Sequence, residues 1–157
     1  MRPFLPEVFA AVLAAVIVIF GLGVPLMDDD LFWWTPKAIM VVEAGPGWIF
    51  AGDLPQALHP EMDLPRQWAD GIPDYGHPPL WFLWLGAWLK LFGVSATSVH
   101  LAVLPCAVAT GWGVAALMRR LGGQRAAWGA LAVLMSPPVV VQFWRADTDV
   151  GLLALST

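Results

Sequence analysis

Long apolar runs separated by short polar breaks organise this chain. Uncharged or nearly uncharged runs cover residues 8–27, 78–92, 98–118 and 126–144, and a fifth begins at Val150. Residues 8–27 hold 20 consecutive positions without a charge. As a helix they extend about 30 Å, the hydrocarbon thickness of a bilayer. Residues 98–118 are interrupted only by His100 and Pro105, and residues 126–144 carry Pro137-Pro138 in their second half. The pattern predicts an all-α, polytopic transmembrane bundle. The run from Val150 to Thr157 has no cap, breaker or flanking charge, so it reads as the first turns of a further helix in a longer protein.

Between the first two runs lies a polar stretch, residues 28–77. It has nine acids against Lys37 and Arg66, leaving a net charge of −7. A loop so poor in basic residues belongs on the non-cytoplasmic side by the positive-inside rule. Within it, Thr35-Pro36-Lys37 has the composition of a helix start, followed by apolar residues at 38, 39, 41 and 42. A short amphipathic helix lying on the membrane is expected there. The remainder is rich in proline and glycine and predicts an irregular loop. Residues 78–92 open on two prolines and carry Trp81, Trp84 and Trp88, read as interfacial anchors.

Composition sharpens this picture. The chain is 59% hydrophobic and 13% charged, against about 45–50% and 25% in soluble domains. The net charge of −4 argues against nucleic acid as a partner. Cys106 is the single cysteine, so no intrachain disulfide forms. The first run is longer than a signal-peptide core and no A-x-A site precedes the acids, so it reads as a retained anchor.

Charge placement raises a parity problem. Arg119, Arg120 and Arg125 predict a cytoplasmic turn, yet three apolar runs separate the acidic loop from Asp147. Either residues 78–92 do not cross, since 15 residues reach only about 22 Å, or the arginine turn lies outside against the rule.

The chemistry concentrates in two acidic places. Asp28-Asp29-Asp30 follows the first helix, and Arg145-Ala146-Asp147-Thr148-Asp149 follows the fourth run. Adjacent carboxylates at a membrane surface suit a proton acceptor or a metal site. In an extended loop Asp147 and Asp149 point to one side, and Arg145 begins that loop. The plainer readings are a solvated helix end for the first cluster and loop polarity for the second. His77 before two prolines reads first as a turn residue, Lys37 as a side chain snorkelling to headgroups, and His59 and His100 as structural.

The order of features resembles the N-terminal half of the integral-membrane C-type glycosyltransferases. The residues are Asp29-Asp30-Leu31-Phe32-Trp33-Trp34-Thr35-Pro36-Lys37-Ala38, then Gly76-His77-Pro78-Pro79-Leu80 opening an aromatic helix, then two helices around an arginine turn, then Arg145 to Asp149. The branch with protein mannosyltransferases and lipid A aminoarabinose transferases is most similar. Many members carry Asp-Glu in the first motif and a tyrosine a few residues on, where this chain has Asp30 and Trp33. The resemblance implies transfer of a sugar from a polyprenyl-phosphate carrier to a lipid, glycan or protein acceptor on the outer side of a bacterial inner membrane. It implies Asp29 as the catalytic base, with Asp30 beside it as a second catalytic residue. Asp147 and Asp149 correspond to the second acidic motif, a place for a divalent metal ion. Lys37, His77 and Arg145 are expected to bind substrate phosphate. Two rival classes remain: a transporter or channel whose acids lie at mid-membrane, and a non-catalytic membrane subunit.

Overall fold

The structure, a computed structural model, describes residues 4–26, 35–45 and 79–145. Six helices form, and no strand occurs among the described residues. They are α1 (Leu5–Gly21), α2 (Thr35–Ala44), α3 (Pro79–Phe92), α4 (Ala96–Ala102), α5 (Leu104–Leu134) and α6 (Pro137–Trp144). The all-α expectation holds.

The helix ends follow local chemistry. Pro6 sits in the first turn of α1, where a missing N–H costs nothing. The helix stops at Gly21, ahead of Gly23 and Pro25, six residues before the apolar run itself ends at Met27. It also starts earlier than the uncharged run, because it includes Glu7. Ser95 caps α4, its hydroxyl accepting the Ser98 N–H at 3.0 Å. Pro105 cannot donate, and the chain turns at Val103 between α4 and α5. Likewise Pro137-Pro138 opens α6 rather than lying inside a helix, so the run 126–144 divides at Met135-Ser136. Ser136 Oγ donates to the Val133 carbonyl at 2.7 Å across that break.

Gly123 reverses the direction of α5. Its φ of 75° and ψ of −169° lie in a region that only glycine occupies comfortably. The two arms, residues 104–122 and 124–134, fold back on each other: a Cβ added to Gly129 would sit 2.9 Å from Met118 Cε.

α1 is the hub against which both arms pack. Ala10 and Ala14 on α1 meet Gly111 on the first arm, and Ala107 and Ala115, four residues to either side of it, are buried in the same core. Small residues at this spacing let backbones approach closely. A Cβ at Gly111 would lie 2.6 Å from the Ala10 carbonyl oxygen. Backbone cannot yield as a side chain tip can, so Gly111→Ala should separate the two helices and cost about 1–3 kcal/mol. Unfolding of the purified protein in detergent measures this; an unchanged midpoint would show that the contact is not tight. At one end, Phe4 stacks on Trp112 at 6.3 Å and Phe9 meets Trp128 at 5.5 Å. Toward the other end, Trp144 Nε1 donates to the Ile17 carbonyl at 2.9 Å, and its indole lies against Gly21.

These contacts fix the direction of each element. α1 runs from the Glu7 end toward Val24, which lies just past it; the first arm of α5 returns to the Glu7 end, and the second arm with α6 runs back toward Val24. α3 packs on α2 and α4 rather than along α5. It ends three residues before α4, whose His100 Nε2 is 3.1 Å from the Val24 carbonyl. Residues 79–92 therefore belong to the Val24 end of the bundle. Trp81 is a correction: at 4% exposure it is a core residue with Phe82, Leu85 and Leu89, not an anchor. Trp84 and Trp88 lie on the more open face and continue to Phe92 as a ladder with centroids 5.7 and 4.4 Å apart.

The stretch Ala96–Leu134 contains an 18-residue window of mean hydropathy 1.9, long and apolar enough to cross a membrane, while α1 and residues 80–92 are shorter apolar helices.

Candidate functional site

The Val24 end gathers the described residues with candidate chemistry. α2 brings Lys37 there. Gly86 lets α3 approach α2: a Cβ at that position would be 2.7 Å from Val41 Cγ1 and 3.1 Å from the Ala38 carbonyl oxygen. In the seam between them Lys37 is 5% exposed, with Nζ 5.1 Å from the Phe82 ring centroid. It does not snorkel to the surface as its place on an interfacial helix implied. Loss of hydration penalises the ammonium and lowers its pKa to about 8. The cation is thus held over an aromatic face in a largely desolvated seam.

α6 brings Arg145. The helix ends there because the backbone turns extended, φ −97° and ψ 141°, after the Arg145 N–H bonds to the Gln142 carbonyl at 3.2 Å. Trp144 anchors this end to α1 through Ile17, and the half-buried Arg145 follows it directly. His100 is nearly fully buried, and its ring nitrogen is taken up by the Val24 carbonyl, a structural use that matches its expected role.

Asp29, Asp30, His77, Asp147 and Asp149 lie outside the described residues. What the described helices set is where their segments depart. Asp28 to Asp30 come two to four residues after Leu26, and Asp147 and Asp149 two and four after Arg145. Both departures are from the same end of the bundle. Among the described residues no three histidine, cysteine, aspartate or glutamate side chains converge as a metal site.

A different pair escaped the reading of the sequence. Glu7 is 0% exposed, and Arg119 Nη1 lies 3.0 Å from its Oε1. Neither carboxylate oxygen has a well-aligned hydrogen bond, so opposite charge rather than directed bonding compensates it. Arg119 also sits 4.8 Å over the Phe4 ring. The signal that could have found it is a lone acid within one turn of an apolar helix, facing a lone arginine pair at the end of another. Comparison with models of protein families, with curated proteins and with solved structures finds no match.

Proposed function

We propose that this chain is part of a polytopic membrane glycosyltransferase that moves a sugar from a polyprenyl-phosphate carrier to an acceptor hydroxyl. One observation carries the reading: α1 and α6 finish at the same end of the bundle, so the chain enters both acid-bearing stretches from that end. Membrane embedding is supported by α1, which is apolar on both sides. Ala10, Ala14 and Val18 face the protein while Phe9, Val12, Val16 and Phe20 are exposed. A helix that is apolar all round needs lipid or more protein outside it.

In this reading Glu7, Arg119, Arg120 and Arg125 mark the cytoplasmic end and the acids the outer end. Three crossings result: α1, residues 96–122 and residues 124–144. Asp29 takes the proton of the acceptor hydroxyl as its oxygen bonds to the anomeric carbon. The bond from that carbon to the phosphate oxygen breaks, and polyprenyl phosphate departs with the electron pair. Asp30 stands beside the base, and His77 and Lys37 serve the phosphate. Arg145 pairs with the departing phosphate. A divalent ion held by Asp147 and Asp149 would neutralise further phosphate charge.

Single cysteines at Ala57, Thr148 and Gln124, in a Cys106→Ala background, test the arrangement. An impermeant reagent applied outside should block the first two and leave the third untouched. Opposite sides for Ala57 and Thr148 would remove the shared site. Membranes holding the whole protein should release polyprenyl phosphate from a linked sugar only when acceptor is supplied. Absence of release across donor sugars defeats the transferase reading in favour of transport or assembly.

A further inference from the structure

The outward face of the first arm of α5 carries a groove of about 490 Å³ that the proposed chemistry does not use. Val108, Ala109, Trp112, Ala116 and Leu117 line it, with Arg120, the last of the lining residues along the helix. The lining is apolar except for that guanidinium. Arg119, one position earlier, is engaged by Glu7 and Phe4 toward α1. Arg120 is exposed and has no acidic partner among the described residues.

We propose that this groove binds an anionic phospholipid of the cytoplasmic leaflet, one acyl chain lying along Val108 to Leu117 and the phosphate meeting Arg120. The proposal rests on the membrane reading above. Val108 to Arg120 covers about 18 Å of helix, a little over half of the roughly 30 Å hydrocarbon core, the depth one leaflet supplies. An apolar channel ending in a cation has the polarity of such a lipid, tail in the groove and phosphate at the surface. The charge sits at the end opposite the acid-bearing segments, so this is not the donor site. A second copy of the chain fits the groove poorly. Side by side in one membrane orientation, two such faces would bring Arg120 against Arg120, with no acid on the face to relieve them.

The full chain, reconstituted in phosphatidylcholine vesicles containing one fifth phosphatidylglycerol and then extracted, should retain phosphatidylglycerol above its bulk share when read by native mass spectrometry. Arg120→Gln should lower that enrichment about fivefold, the effect of one basic residue near a charged headgroup. Ala109→Phe fills the groove from an exposed position, leaves the charge, and should lower it as well. Arg125→Gln, beyond the Gly123 reversal, should leave it unchanged. Equal loss with Arg120→Gln and Arg125→Gln would reduce the effect to general attraction by a basic end and overturn the site. So would full retention in Ala109→Phe, or a dimer in which the groove excludes lipid. A chain released from vesicles by alkaline carbonate overturns the membrane reading and this one together. An inserted chain without lipid preference overturns only the groove.

Discussion

Asp29→Asn should slow sugar transfer by the whole protein about 10²–10⁴-fold, the usual contribution of a positioned general base. Asparagine keeps the size of the side chain but cannot take the acceptor's proton. Donor binding should change little, because the base serves the acceptor. Asp28→Asn should be far milder, since Asp28 stands nearer the helix end and outside the motif. The measurement is single-turnover transfer from a polyprenyl-phosphate-linked sugar, with donor affinity determined separately. Near-normal turnover in Asp29→Asn alongside an inactive Asp28→Asn would move the base by one residue. Full activity in both would mean that the cluster only orients the chain, and the mechanism would fall.

The second large effect is on stability. Arg119→Met leaves the Glu7 carboxylate fully buried without its counter-charge, which should cost about 3–5 kcal/mol. Glu7→Gln should cost less, because Arg119 is 28% exposed and its head can reach water or headgroups. Combining Glu7→Gln with Arg119→Met should recover much of the loss, since a neutral pair no longer has a charge to bury. Reversible unfolding in mixed micelles gives the coupling energy. Additive losses would show that the two side chains are close without depending on each other.

Much of the helical plan was legible because an uncharged run of helical length has few alternatives. Errors came where one residue was asked to mark a boundary. Glu7 was placed outside the first helix because charge usually ends an apolar run; only Arg119, more than a hundred residues away, makes it tolerable inside. Pro105 and Pro137 were read as interruptions within helices, yet each opens a new one. Trp81 followed the habit of interfacial tryptophan, but its position on the α3 face that carries Leu85 and Leu89 puts it in the core. The Ala107, Gly111, Ala115 spacing is a close-packing signal already present in the sequence. For the site, the acids and Lys37 could be picked out by type. The acids themselves lie outside the described residues; that α1 and α6 finish at one end depends on the Gly123 reversal and on Trp144 returning to Ile17, neither of which any local pattern encodes.

The Trp144–Ile17 hydrogen bond joins residues 127 positions apart. During synthesis, the first helix leaves the ribosome long before its second partner exists. At roughly 5–20 residues per second, the interval is about 6–25 s. Through that time the side of α1 destined for Trp144, including Gly21, lacks the partner that covers it in the finished fold. A slow tail end thus dictates when the front end becomes secure, and pausing of translation before residue 144 would prolong the exposure of a helix that was made first.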